Sequence, residues 1–560
     1  MFLPQVSGEI VRRGLAAIAL ASLLLSGCTP LAAGSDPGND PTPAASAMPS
    51  SPAATATAIP RPMLWIDPAV PVELRQAIQL PAGVQLAENP QEATLQFGVQ
   101  PAGQGQTRWV YALVAPFPTV PDGVRFEDLR AYWQGRGSSD FGDQPLLLSA
   151  STRDAFAALW GAPASGVTQV VPSGSLLERA WAQRPSWALI PFEEIEPRWK
   201  VLRVDGVSPL DGDFDLAEYP LVVDFGLQGD GTASQPYPSL APLPAGNRDP
   251  QKLTVLVMTG VTALVRATAA RMEEKGMTYP GQDVRTWLRQ ADLTHISNEV
   301  SFDTQCPPAN PDQTNLMFCS RPEYLQLLED VGADIIELSG NHLLDWRVES
   351  LRQTLDLYRQ NGMRYYAAGE NLQEARQPLL VEHNGNRLAF LGCNPAGPPS
   401  VWASDDRPGV ADCDYDWMRA EIGRLRQEGY LPIVTLQYFE TYSSLPTVNQ
   451  DKDFQALAEA GAVIVSGSQA HVPQTMTFAG QSFIHYGLGN LFFDQMKVWV
   501  EDRLIEGTRD EFIDRHVFYD GRYLGSELLT AVLEDYARPR PTTPAERAAM
   551  LEKIFAESGW

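Results

Sequence analysis

Apolar and polar positions along this chain fall into two stretches where strand-type and helix-type periodicity alternate. In the first, Trp65-Ile66-Asp67-Pro68 reads as a strand and turn, 93–99 alternates like a half-buried strand, and 109–117 is a continuous apolar run ended by proline. Residues 126–133 predict a short helix with Leu129, Tyr132 and Trp133 on its apolar side. Ser151 is expected to cap a helix over 154–160, Ser173-Gly174-Ser175 another, and 186–192 reads as a further strand. Strands alternating with helices predict an α/β domain over 62–240. Pro, Ala, Gly and Ser crowd 236–249, so a linker is placed at 241–251.

The second stretch, 252–500, predicts another α/β domain. Its strands are expected at 252–258, 293–299, 334–338, 388–393, 431–437, 462–467 and 482–486, with helices between them. Residues 334–346 show the arrangement most plainly. A short apolar run breaks at Ser339-Gly340 and delivers Asn341, His342 and Asp345 in quick succession. Other strands also stop at polar residues, namely Asn298-Glu299, Gln437, and Gln469 with His471. Open α/β sheets bind ligands outside the carboxyl ends of their strands, so these tips are expected to share one pocket. Residues 501–560 read as a helical extension whose last helix starts at Thr543-Pro544.

The N-terminus differs. Arg12 and Arg13 precede an apolar run over 15–25 and then Leu25-Ser26-Gly27-Cys28. This is the layout of an export signal, over residues 1–28, and the run is shorter than the roughly 20 residues a membrane span needs. Leu-Ser-Gly-Cys resembles a bacterial lipoprotein box, which implies lipidation of Cys28 and anchoring at the extracytoplasmic face of the cell membrane. Residues 29–61 are dominated by Pro, Ala, Ser and Thr and read as a disordered tether.

Composition narrows the function. The formal charge of −26 over 560 residues argues against nucleic acid as a partner. Anything anionic would need a local cation. Of the five cysteines, four remain if Cys28 carries lipid. An even set in an exported chain predicts disulfides, with the local pairings Cys306–Cys319 and Cys393–Cys413 expected. The alternative, a four-thiolate zinc site, lacks any Cys-x-x-Cys pair.

Two resemblances add to this. YALVAPFPTVPDGVRFEDLRAYWQG and SWALIPFEEIEPRWKVL, within 111–202, resemble periplasmic solute-binding proteins of the phosphate-binding type. Helix starts at Ser151-Thr152 and Ser173-Gly174-Ser175 would suit an anion, although plain capping accounts for them. Residues 252–496 resemble the CapA family of capsule synthesis, linked to poly-γ-glutamate, with a calcineurin-like metallophosphoesterase fold. The matching stretches include Ser297-Asn298-Glu299, Ser339-Gly340-Asn341-His342-Leu343-Leu344-Asp345 and Leu488-Gly489-Asn490-Leu491-Phe492-Phe493-Asp494. The family places an Asp ligand after its first strand and histidines at two later strand ends; here Val261, Gln437 and Gln469 stand there. Valine cannot ligate and glutamine is a weak neutral donor, so a full two-metal centre is not expected.

The resemblance implies at most one divalent ion, held by a set drawn from Asn298, Glu299, Asn341, His342, Gln437, Gln469 and His471. His485 is a possible addition if its side chain faces the same way. It also implies His342 or His471 as the proton-transfer group, with Asp345 orienting or assisting. Three readings stay open: a metal-assisted hydrolase or transferase acting on an envelope polymer, a non-catalytic envelope binding protein for an anionic polymer or small ligand, and an assembly factor.

Overall fold

Strands that are apolar on both faces need a covering layer on each side. In the computed structural model, which describes residues 62–137, 141–142, 144–229 and 242–560, the second half of the chain meets this need with two sheets back to back and helices outside. The expected export signal, Cys28 and the tether lie outside the described residues. Among the described residues no helix is long and apolar enough to cross a membrane.

The larger of these two sheets runs in the order Arg364–Tyr366, Ile335–Glu337, Leu293–Asn298, Leu253–Thr262, Asp510–Tyr519, Arg522–Glu534, Arg538–Pro541. Its first four strands are parallel and the rest antiparallel. The other sheet runs Leu379–His383, Asn386–Cys393, Leu431–Gln437, Ile464–Ser468, Ser482–His485, Met476–Ala479, with its four inner strands parallel. Leu256, Met258 and Phe512 from one sheet meet Phe390, Ile433 and Phe483 from the other in a shared core. Helices Arg266–Lys275, Leu325–Asp330 and Val348–Gln360 cover the outer face of the first sheet through Met272, Leu328 and Leu355. Tyr415–Gln427 and Val448–Glu459 cover the other through Ile422 and Phe454.

Residues 501–560 are not a helical extension. Two long strands, Asp510–Tyr519 and Arg522–Glu534, and a short one, Arg538–Pro541, complete the first sheet, and only Pro544–Glu557 is helical. The period-2 signal was hidden because the strands are buried on both faces for much of their length. The last helix does start as expected: Thr543 and Glu546 form a capping box with Pro544 at the first position.

The first half is a second α/β lobe, built on a sheet whose central path is Met63–Ile66, Leu95–Gln100, Val222–Gly229, Thr107–Pro116, Ala188–Pro191, Leu146–Leu148. Phe126–Trp133 is helical as expected. The next helix starts earlier than its apolar period indicated, at Ala150–Trp160, and Ser149 rather than Ser151 caps it by accepting from the Thr152 N–H. Residues expected to link the lobes are pinned down instead. Asn247 receives the Val110 N–H, donates to the Val110 carbonyl and donates to Glu193. Leu253, Val255, Val517 and Leu524 join the core of the first lobe.

One buried group in the larger sheet predicts a pH effect. Glu511 is fully buried and neither carboxylate oxygen has a partner among the described residues. Burial pushes its pKa well above the ordinary carboxylate value, helped by the charge of Asp510. The folded state therefore holds a proton that the unfolded state releases, so its contribution is most favourable below about pH 4.5 and is lost as pH rises. Glu511→Leu is expected to raise stability by about 1–2 kcal/mol at pH 8 and by less at pH 5. Urea unfolding at the two pH values checks it; a gain that does not depend on pH would count against the assignment.

Candidate functional site

The parallel strands of the two back-to-back sheets end at a common rim, and close backbone contacts at glycine bring their loops together. A Cβ at Gly340 would lie 2.5 Å from the Glu299 carbonyl oxygen, and one at Gly467 would overlap that of Tyr486. Only glycine permits such approaches. Val300 and His342 pair as a parallel bridge just beyond the strand ends.

The polar tips converge there. The Gln437 Nε2 amide donates to Glu299 Oε1 at 3.0 Å and to Asn341 Oδ1 at 2.9 Å, and also contacts Gln469 Oε1. Thus four residues from four strand ends, two in each sheet, meet at one atom. Glu299, Gln437 and Gln469 are buried. An amide nitrogen carries two hydrogens and cannot satisfy three acceptors, while Gln437 Oε1 is buried without a partner among the described residues. A half-turn of this amide would exchange its ends and leave four oxygens facing one another. Such a cluster of oxygens would suit a bound cation.

Two histidines flank the hub, each oriented through Nδ1. His342 Nδ1 lies 2.6 Å from Asp345 Oδ2, and His471 Nδ1 lies 2.8 Å from Asn490 Oδ1. Burial alone would lower the His342 pKa. The Asp345 hydrogen bond and the charges of Glu299 and Asp345 outweigh burial, so the pKa is raised above the usual imidazole value. Phe318 packs edge-on to the His342 ring at 4.7 Å and Phe493 lies 5.0 Å from the His471 ring. The Arg266 guanidinium sits over both phenylalanines, at 5.1 and 5.7 Å, and pairs with Asp494 through Nε and Nη2. Arg266, Gln469 and His471 all adopt left-handed φ, at 45°, 76° and 45°. Strained backbone of this kind gathers at functional sites.

Of the residues singled out in the sequence, Glu299, Asn341, Gln437 and Gln469 form the hub, while His342, Asp345 and His471 surround it. Asn298 does not join the hub: its Nδ2 donates to the Val300 carbonyl and to Tyr358 Oη, and its Oδ1 has no partner. His485 is not a candidate ligand. It is fully buried between the sheets, with Nδ1 2.7 Å from Asp514 Oδ2. Val261 lies in an apolar cluster with Val265, Val300, Phe318 and Phe493, so no polar group occupies the position of the family's first-strand Asp. Two residues escape a sequence reading. Arg266 stands at the start of a helix and carries no local signal of a role at the site. Glu337 is buried beside the hub; burial and the Glu299 charge push its carboxyl up to about 7, against opposing hydrogen bonds from Ser297 and Ser339. Its signal was a lone acid inside the apolar run Ile335-Ile336-Glu337-Leu338.

Among the described residues no three His, Cys, Asp or Glu side chains gather within metal-binding reach. A metal would therefore have to rest partly on amide oxygens. The set Glu299, Asn341, Gln437 and Gln469 is rich in oxygen and suits one hard divalent ion, not a pair. The paired cysteines hold no metal: Cys306–Cys319 and Cys393–Cys413 are disulfides.

Residues 255–495 match the family model described as "Bacterial capsule synthesis protein PGA_cap". The chain is similar to the capsule biosynthesis protein CapA of Bacillus anthracis, 25% identical over 45% of this chain and 62% of that protein. It is also similar to the PGA biosynthesis protein CapA of Bacillus subtilis, 25% identical over 40% of this chain and 59% of that protein. It thus spans about six-tenths of the length of these curated relatives. Among solved structures, a hypothetical protein of Thermus thermophilus aligns over 49% of this chain and 98% of its own, at 14% identity and TM-score 0.30. An ABC-type phosphate transport receptor of Vibrio cholerae aligns over 25% of this chain and 69% of its own, at 14% identity and TM-score 0.22.

Proposed function

We propose, from the match of residues 255–495 to the PGA_cap family model of bacterial capsule synthesis, that this protein takes part in making or attaching an anionic envelope polymer of the poly-γ-glutamate kind. The observation that carries the reading is the meeting of Glu299, Asn341 and Gln469 on Gln437, between two oriented histidines. We place the protein at the extracytoplasmic face of the cell membrane, anchored through lipid on Cys28. Its two disulfides fit an oxidising compartment.

The chemistry proposed is hydrolysis or transfer at a polymer linkage. One divalent ion, held by Glu299, Asn341, Gln437 and Gln469 with His471 completing the set, would polarise the oxygen of the reacting group. His342 keeps Nε2 available because Asp345 occupies Nδ1, and it is placed to take or give a proton there. Asn490 fixes His471 in the same way. The ring of Phe318 packs edge-on against His342.

The test uses the full-length protein, purified and incubated with poly-γ-glutamate with and without manganese or magnesium. Chain shortening or transfer to an acceptor is expected. His342→Ala is expected to lower its rate about a hundredfold. A wild-type protein that retains no divalent ion and leaves the polymer intact under every condition would remove the catalytic reading.

The neutral amide at the centre and Val261 in its apolar cluster favour one further reading. In this reading the site holds the polymer without reacting with it. Saturable binding of poly-γ-glutamate with no turnover is the outcome that selects it.

A further inference from the structure

We propose that Arg266 is a substrate-binding residue that holds a free α-carboxylate of a γ-linked glutamate chain next to the hub. This rests on the polymer reading above and goes beyond it by naming the group recognised and the side chain that recognises it.

The argument starts from the donors of one guanidinium. Arg266 Nε and Nη2 bond Asp494, and the Ala267 N–H shares that carboxylate at 3.1 Å. Nη1 donates to no described residue, although the side chain is only 19% exposed. Arginine carries five N–H donors in a rigid fork, so one edge of this fork is committed and its outer nitrogen is free. The guanidinium packs on two aromatic rings, its carbon 5.1 Å from the Phe318 ring and 5.7 Å from the Phe493 ring. Those rings are the ones that flank His342 and His471. The backbone at Arg266 is itself held at a φ of 45°. Such a residue is bound in place rather than free to sweep through solvent, which is what a recognition donor requires.

Charge points the same way. The protein carries −26 overall, so a polyanion gains no long-range attraction from it. Recognition must come from a fixed local donor. The Asp494 partner makes the Arg266 pair neutral, so selectivity comes from hydrogen-bond geometry more than from net attraction. In a γ-linked glutamate chain, every unit carries a free carboxylate on the carbon bonded to the amide nitrogen. In an α-linked chain the carboxylate ends a flexible two-carbon arm. A rigid donor packed on the two rings that contact His342 and His471 separates these polymers, although their charge per residue is the same.

The experiment measures binding of the full-length protein to four probes: a γ-linked glutamate octamer, the same octamer with α-carboxamides, an α-linked octamer, and inorganic phosphate. Wild type is expected to bind the γ-linked octamer about tenfold tighter than either of the other octamers. Arg266→Gln is expected to bring the three octamers within about twofold of one another. Arg266→Lys keeps the charge and the Asp494 pair but lacks the fork, and it is expected to lose most of the preference. It carries the test if the glutamine variant fails to fold. If both variants keep the wild-type preference, the Arg266 assignment is wrong while the polymer reading stands. If wild type binds none of the octamers, the polymer reading fails and this assignment with it. Phosphate binding that depends on Arg266, without preference for the γ-linked octamer, overturns the carboxylate assignment.

Discussion

Replacing Gln437 with leucine is expected to destabilise the protein by about 3–5 kcal/mol. Leucine approximates the shape of glutamine but has no donor. Gln437 is 3% exposed, and its Nε2 is the meeting point of Glu299 Oε1, Asn341 Oδ1 and Gln469 Oε1. Each buried acceptor left without a partner costs about 1–3 kcal/mol, and a carboxylate costs more than an amide. Glu299 is 2% exposed and cannot turn to solvent, so the loss falls largely on it. The measurement is the urea midpoint of the variant against wild type, with the m-value checked for constancy. An unchanged midpoint would falsify the hub as a structural element and leave the oxygens paired in some other way.

Removing both disulfides is expected to cost about 6 kcal/mol, close to 3 for each by the chain-entropy estimate. Cys306–Cys319 closes 13 residues of sequence and Cys393–Cys413 closes 20. Their effect should reach the site. Phe318, beside Cys319, packs on His342, and its backbone N–H donates to Asp345 Oδ2 at 3.1 Å. Asn394, beside Cys393, donates through Nδ2 to the Ser339 carbonyl at 2.8 Å, two residues before Asn341. Alanine pairs at 306/319 and at 393/413 separate the two contributions. The expected result is a lower unfolding midpoint for each pair, an additive loss for the quadruple variant, and weaker polymer binding even where the fold persists. If reductant left the wild-type midpoint where it was, the bridges would have no share in stability.

Polar residues at the ends of buried strands were the most informative part of the chain before any coordinates. They located Glu299, Asn341, Gln437 and Gln469, and the hydrogen bonds unite all four. The same rule did not separate Asn298 from the hub residues, and it left the facing of His485 open. Both end or nearly end a strand, yet one serves the helix containing Tyr358 and the other lies between the sheets. Successive side chains on a strand point to opposite faces, and periodicity within a strand buried on both sides does not reveal which face is which. Arg266 was missed for another reason. Its role depends on Asp494, Phe318 and Phe493, which are distant in sequence.

By itself the amino-acid order determined the α/β class, most strand and helix positions and the polar tips of the central strands, and it favoured the two local cysteine pairings that the structure contains. Each of these follows from local periodicity, local loop closure or a residue's own chemistry. Tertiary structure alone decided that residues 510–541 complete the larger sheet, that Asn247 ties the intervening segment to the first lobe, and that one glutamine sits at the centre of the site. Those outcomes depend on which distant surfaces come together. A chain pattern records that a side chain is apolar or polar, but only packing selects the neighbour it meets.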